Sequence, residues 1–284
     1  MIKRIINLFL VFSLLFGVAG CTLQSASERE YKITVITEGG MPFSSVPVIV
    51  YSGTDKNDLV WRAETDSQGS ITFTAKVSDD YIAVVEDIPQ GYDNKEYYSV
   101  ESYETVITPE ILLEEKVDLT GISYDLGDII HDFTVCDAEG NEHKLSDILK
   151  DKKMVMLNFW YLNCMPCKME FPYLEEAYQQ YNDKLEVIAL NPVDGTNATV
   201  SAFADEMGLS FPMSVCDPIW ESAMQLSAYP TTVIIDRYGM IGMIHKGYIT
   251  ETDTFNDIFE YFTSDGYVQS TVKNISDISQ KEGE

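Results

Sequence analysis

The sequence predicts two folded units in series: an all-β sandwich, then an α/β unit whose mixed sheet is flanked by helices. Three observations predict this. Residues 31–118 alternate apolar and polar side chains with the period of a half-buried strand. Residues 154–161 and 185–190 are instead continuous apolar runs, as in strands covered on both faces, with a helical repeat between them. The length, 284 residues, suits about two domains of ~150 residues each.

The first twenty residues stand apart. Lys3 and Arg4 precede an almost wholly apolar run, Ile5 to Ala19. It is shorter than the ~20 residues of a spanning helix and suits a signal-peptide core. It ends in Val18-Ala19-Gly20-Cys21, which resembles the lipobox of bacterial lipoproteins. The resemblance implies a leader over 1–20 and lipidation of Cys21. The protein is then held at the outer face of the bacterial cytoplasmic membrane by acyl chains, each buried CH₂ contributing roughly 0.8 kcal/mol. Residues 21–30 read as a short polar tether. With 19 Lys+Arg against 46 Asp+Glu the net charge is −27, a surface that repels phosphate backbones and excludes nucleic acid as a partner.

In the first unit, residues 31–118, the stretches YKITVIT, VPVIVYSG, LVWRAE, SITFTAKV and YIAVVED read as short strands. Gly39-Gly40, Ser52-Gly53-Thr54-Asp55 and Asp66-Ser67-Gln68-Gly69 read as the turns between them. The order TDSQG, strand, YIAVVEDIPQGY is similar to the Cna-B-type, prealbumin-like domain of bacterial surface proteins. That resemblance implies a spacer or docking module. Residues 119–126 read as a linker.

The second unit spans 127–263. MVMLNFWY and LEVIAL are its buried strands, and Phe171, Leu174, Tyr178 and Tyr181 mark the helix between them. Further helices are predicted over about 199–207, 219–226 and 253–262. TTVIID and GMIGMIHKG flank the turn Asp236-Arg237-Tyr238-Gly239 as a hairpin. Residues 264–284 are polar and acidic and predict a disordered tail.

The chemistry lies in NFWYLNCMPC. The strand ends near Trp160 and the helix begins near Cys167, so Cys164 falls at or just before a helix N-terminus. Unpaired N–H groups and the helix dipole there favour an anion, and such settings lower a thiol pKa from ~8.5 to roughly 3.5–7.5. The thiolate is the attacking species in disulfide exchange. Cys167, one turn on and less exposed, is placed to resolve the mixed disulfide. Zinc is an alternative if Cys136 and Cys216 supply the missing ligands, and a purely structural disulfide is another. A peroxidase of the peroxiredoxin kind calls for Thr or Ser where Tyr161 stands. His131, His143 and His245 read as surface or satisfied histidines. Cys136 and Cys216 either pair or stay buried as thiols.

NFWYLNCMPC, the helix containing Pro172, and SAYPTTVIID resemble the thioredoxin fold, and within it the TlpA/ResA-type thiol–disulfide oxidoreductases. GDIIHDFTVCDAEGNEHKLSDI matches that family's lead-in hairpin. The resemblance implies Cys164 as nucleophile, Cys167 as resolving thiol, and Pro230 as a cis-proline preceded by Tyr229. A cis bond is a minority state, ~5–6% of X–Pro bonds. It further implies Glu170 as an acid governing proton transfer and Met165 and Pro166 as determinants of redox poise. Asn158 stands where thioredoxins carry a buried aspartate, which leaves proton acceptance to Glu170 or water. Asn163 replaces their tryptophan. Trp160 is placed for either core or site. No soluble cofactor is implied, because the Cys164–Cys167 disulfide holds the electron pair. The implied partners are a membrane thiol-transport protein as electron donor and oxidised extracytoplasmic proteins as targets, such as a methionine sulfoxide reductase or apocytochrome c. The rival from another class is a surface adhesion or scaffold lipoprotein with a redox-inactive thioredoxin-like domain. Disulfide exchange requires an accessible Cys164 and a cis bond before Pro230.

Overall fold

The computed structural model describes residues 27–278 except 78, 90, 91, 94, 111, 112 and 114–117. The expected leader, the expected lipid anchor Cys21 and most of the tether lie outside the described residues.

Seven strands come first: β1 (Glu28–Val35), β2 (Pro47–Ser52), β3 (Asp58–Glu64), β4 (Ser70–Lys76), β5 (Tyr81–Val85), β6 (Tyr98–Val100) and β7 (Glu104–Ile107). They form two sheets, of order β4-β1-β7 and β3-β2-β5-β6. The alternation in the sequence is alternation in space. In β4, Ile71, Phe73 and Ala75 are buried while Thr72, Thr74 and Lys76 are exposed. Ile33 and Val35 from one sheet and Val48, Val50 and Val85 from the other enter the same apolar cluster. β6 and β7 went unforeseen because strands of three and four residues are too short to display a period.

The second unit runs β8 (Thr134–Cys136), β9 (Glu142–Lys144), α1 (Leu145–Asp151), β10 (Met154–Phe159), α2 (Met165–Tyr181), β11 (Leu185–Asn191), α3 (Asn197–Met207), β12 (Met213–Val215), α4 (Ile219–Ala223), β13 (Thr231–Asp236), β14 (Ile241–Lys246) and α5 (Thr252–Thr263). Its five-stranded sheet has the order β12-β11-β10-β13-β14. β10, β11 and β12 are parallel; β13 runs antiparallel to β10 and β14 antiparallel to β13. This is the mixed, helix-flanked sheet of the thioredoxin-like expectation. Every residue of β10 and β13 is buried because both faces are covered. Met154 and Met156 share a cluster with Phe171, Leu174, Phe255 and Phe259, while Val155, Leu157 and Phe159 face Leu145, Leu149 and Trp220. α3 starts on a reciprocal Thr196–Thr199 capping box and stops at Gly208 in the left-handed region.

Two expectations need correction. Leu119 and Tyr124, in the expected linker, are buried in the second unit's core. The expected disordered tail is packed as far as residue 278: Tyr267, Val272 and Ile278 are buried and Val272 bridges Met243. Its polar composition hid three well-spaced apolar anchors. Residues 279–284 lie outside the described set.

The two units meet at a junction to which the tail contributes Asp265. Tyr238, in the β13–β14 turn, stacks on Phe43 at 5.4 Å and meets Tyr92 edge-on at 5.9 Å. Ser44 donates its hydroxyl to the Asp265 carbonyl at 3.2 Å, and Tyr92 donates to the Arg237 carbonyl at 3.2 Å. Gly39 lies so close to the Lys150 carbonyl that an added Cβ would fall 1.2 Å from its oxygen. Only glycine permits that approach.

Candidate redox site

Cys164 is the N-cap of α2, with extended backbone (φ −73°, ψ 97°). Its Sγ occupies the place that a Ser or Asp oxygen usually takes, and the Cys167 N–H donates to it at 3.2 Å. Met165 and Pro166 form the start of the first turn. Proline is tolerated there because its missing N–H would have had no partner. Cys164 and Cys167 are joined in a disulfide with Cα atoms 5.3 Å apart. The Tyr229–Pro230 peptide bond is cis, as the resemblance implied.

Accessibility differs from expectation. Cys164 is 1% exposed and Cys167 0%. Tyr161, Leu162 and Tyr229 pack against the cluster that contains both cysteines. Burial is shallow, however: Asn163 is exposed and Met165 is 65% exposed, so the chain reaches solvent on either side of the sulfur.

Beneath the disulfide lies a buried polar network. Glu170, one turn beyond Cys167, accepts from Asn158 Nδ2 at 2.7 Å and from the Ile249 N–H at 2.7 Å. Burial is the main cause that raises its carboxyl from 4.5 to about 7; both hydrogen bonds pull the other way. Among the described residues Asn158 Oδ1 has no hydrogen-bond partner. Rotating the Asn158 amide would offer that oxygen to a protonated Glu170, so the pair suits either charge state of the acid.

Aromatic side chains frame the rest. Trp160 is fully buried, stacked on Phe203 at 4.9 Å and edge-on to Phe171 at 5.4 Å, which makes it a core residue under the site. Tyr229 meets Tyr161 edge-on at 5.3 Å, linking the loop before Cys164 to the loop before Pro230. The Tyr229 hydroxyl donates to Glu221 Oε1 at 2.7 Å. The sequence had singled out Tyr229 for its place before proline. Tyr161 had entered only through the peroxidase comparison, and the Ile249 N–H is a backbone group that no side-chain pattern encodes.

Cys136 and Cys216 are free thiols. They border one cavity of about 620 Å³ with Trp220 and Phe133, yet Cys136 is exposed, against the expectation of a buried thiol. Cys216 packs against the cluster containing Trp220, and its thiol is pushed up to about 12, chiefly by burial. Among the described residues no group of three or more His, Cys, Asp or Glu is disposed to hold a metal ion. No described helix is long and apolar enough to cross a membrane.

Residues 126–244 match the model of the AhpC/TSA family. The chain is 37% identical over 124 residues to the thioredoxin-like protein YneN of Bacillus subtilis, covering 43% of this chain and 72% of that one. It is 37% identical over 131 residues to the thiol–disulfide oxidoreductase ResA of Geobacillus kaustophilus, covering 45% and 73%. Among solved structures, a putative protein disulfide isomerase from Bacteroides thetaiotaomicron aligns at 25% identity and a TM-score of 0.44, covering 49% of this chain and 90% of its own.

Proposed function

The chain belongs to the ResA-type thiol–disulfide oxidoreductases, and on that premise we propose that it reduces disulfides in exported proteins through Cys164 and Cys167. The reduced Cys164 thiolate attacks one sulfur of the target disulfide. A mixed disulfide forms and one target thiolate leaves. Cys167 then attacks Cys164 Sγ, closing the intramolecular disulfide and releasing the second target thiolate. Two electrons pass to the target, and the Cys167 proton needs an acceptor. Glu170 is the nearest candidate by sequence, and its affinity near neutrality suits the task. A membrane thiol-transport protein would restore the dithiol, and Cys21 would carry the lipid that keeps the protein beside it at the outer membrane face. The N-terminal unit would serve as the spacer.

One observation carries this proposal: the Cys164 sulfur caps α2 and receives the Cys167 N–H, a position that stabilises a thiolate once the disulfide opens. Insulin reduction by the full chain tests it. Wild type should be active, Cys164→Ser inactive, and Cys167→Ser should accumulate a mixed disulfide that identifies the target. Equal background rates in wild type and Cys164→Ser would refute it in favour of a passive scaffold.

A peroxidase of the peroxiredoxin kind is the second reading for Cys164. Tyr161, three residues before Cys164, offers no small hydroxyl to a bound peroxide. Hydrogen peroxide consumption at the rate of insulin reduction would favour that second reading.

A further inference from the structure

α2 exposes three large apolar side chains: Met165 (65%), Met169 (52%) and Tyr173 (39%). At spacings i, i+4 and i+8 they form one stripe, opposite the buried Cys167, Phe171 and Leu174. The stripe starts beside Cys164 and runs about 12 Å along the helix at ~1.5 Å per residue. A merely solvated helix face would present Glu, Lys or Gln at these positions.

The Tyr173 end of the stripe has an anionic border. Glu176 accepts the Thr252 hydroxyl at 2.7 Å, which brings the start of α5 alongside. The acids at the start of α5, Glu251 and Asp253, therefore flank this end of the stripe, while Asp257 and Glu260 lie further along, beside Tyr181 and Lys184. Lys168, the one cation of α2, lies over the Phe203 ring, toward α3. Lys246 is held by the Gln225 carbonyl and the Ser227 hydroxyl.

We propose that this stripe docks a cationic, apolar protein segment next to the disulfide undergoing exchange. The proposal rests on the exchange activity and adds the chemistry of the partner. Unbranched Met side chains adapt to varied apolar partners, and the carboxylates select for Lys and Arg around them. The same carboxylates oppose an anionic bilayer, which attracts basic rather than acidic surfaces.

The probe is a fluorescein-labelled 12-residue peptide without cysteine, carrying Leu and Lys, with a Leu and Glu counterpart. Fluorescence polarisation with the full chain at low salt should show the Lys peptide binding at least tenfold more tightly. Met169→Ser combined with Tyr173→Ser should weaken it tenfold or more. Glu251→Gln with Asp253→Asn should weaken it and flatten its salt dependence; this surface variant keeps the test decisive if the first fails to fold. Equal binding of the two peptides, or unchanged binding in either variant, would overturn the proposal. So would sedimentation of wild type, and not of Met169→Ser/Tyr173→Ser, with phosphatidylglycerol vesicles, which would assign the stripe to lipid. Because the peptides hold no disulfide, a negative result leaves the exchange reading intact, and a failure of insulin reduction leaves this binding intact.

Discussion

Replacing Glu170 by Gln should flatten the pH dependence of stability of the oxidised protein. The wild-type carboxyl is raised from 4.5 to about 7 in the fold, mainly because burial disfavours its charged form. A raised folded-state pKa means that the native state holds the proton more tightly than the unfolded chain does. The associated stability is therefore complete below pH 4.5 and is lost as pH rises through about 7. At 1.36 kcal/mol per pH unit, the span amounts to about 3 kcal/mol, most of it falling between about pH 5 and 8.5. Gln keeps the size and one acceptor, and the Asn158 amide is free to rotate its unpartnered oxygen toward the new N–H group. With the disulfide intact, neither Cys164 nor Cys167 titrates. Urea unfolding of wild type and variant at pH 5 and pH 8.5 gives the difference directly, since all other carboxylates cancel. The wild type should lose about 2–3 kcal/mol more than the variant over that interval. Parallel profiles, within the ~0.5 kcal/mol scatter of such comparisons, would refute a proton held by Glu170 near neutrality.

Tyr267→Phe removes a buried hydroxyl that donates to Asp236 Oδ2 at 3.0 Å. It should cost about 1.5–3 kcal/mol in urea unfolding, the range for hydrogen bonds to charged groups. Gly242→Ala would set a Cβ 2.5 Å from Phe262 Cε1 and should lower stability by about 1–3 kcal/mol through overpacking. Iodoacetamide at pH 8 should label the exposed Cys136 quickly and Cys216 slowly, since the latter thiol is pushed up to about 12 and partly buried. Peptide mapping reads both; equal rates would refute the burial of Cys216.

Much of the site was legible because its chemistry depends on spacing. Two cysteines two residues apart, after an apolar run and before a helix, place one sulfur at the helix cap whatever the surroundings. The strands of the central sheet were legible for the same local reason, as unbroken apolar runs. Accessibility was not: the burial of Cys164 comes from tertiary packing, of which residue spacing carries no record. α1 was missed because its seven residues complete barely two turns, too few for a helical repeat to stand out. The tail misled because composition averages over residues. Three anchors among many polar neighbours dock a segment, and Tyr267 finds its partner in Asp236, 31 residues earlier.

The junction of the two units has a geometric consequence. β1 runs from Glu28 toward Val35, whose carbonyl accepts from the Phe43 N–H beside Tyr238. Across the junction, β13 pairs Asp236 with Met154 at the near end of β10 and Thr231 with Phe159 at the far end, where the cysteine loop departs. At ~3.3 Å per residue, β1 covers about 23 Å and β10 about 17 Å. The polypeptide thus enters at the foot of one block, and its sulfur pair crowns the other. A protein fastened by its N-terminus would hold that pair beyond the β block, and altering the height of the block would change which molecules come within arm's length while leaving the reactivity of the sulfurs alone.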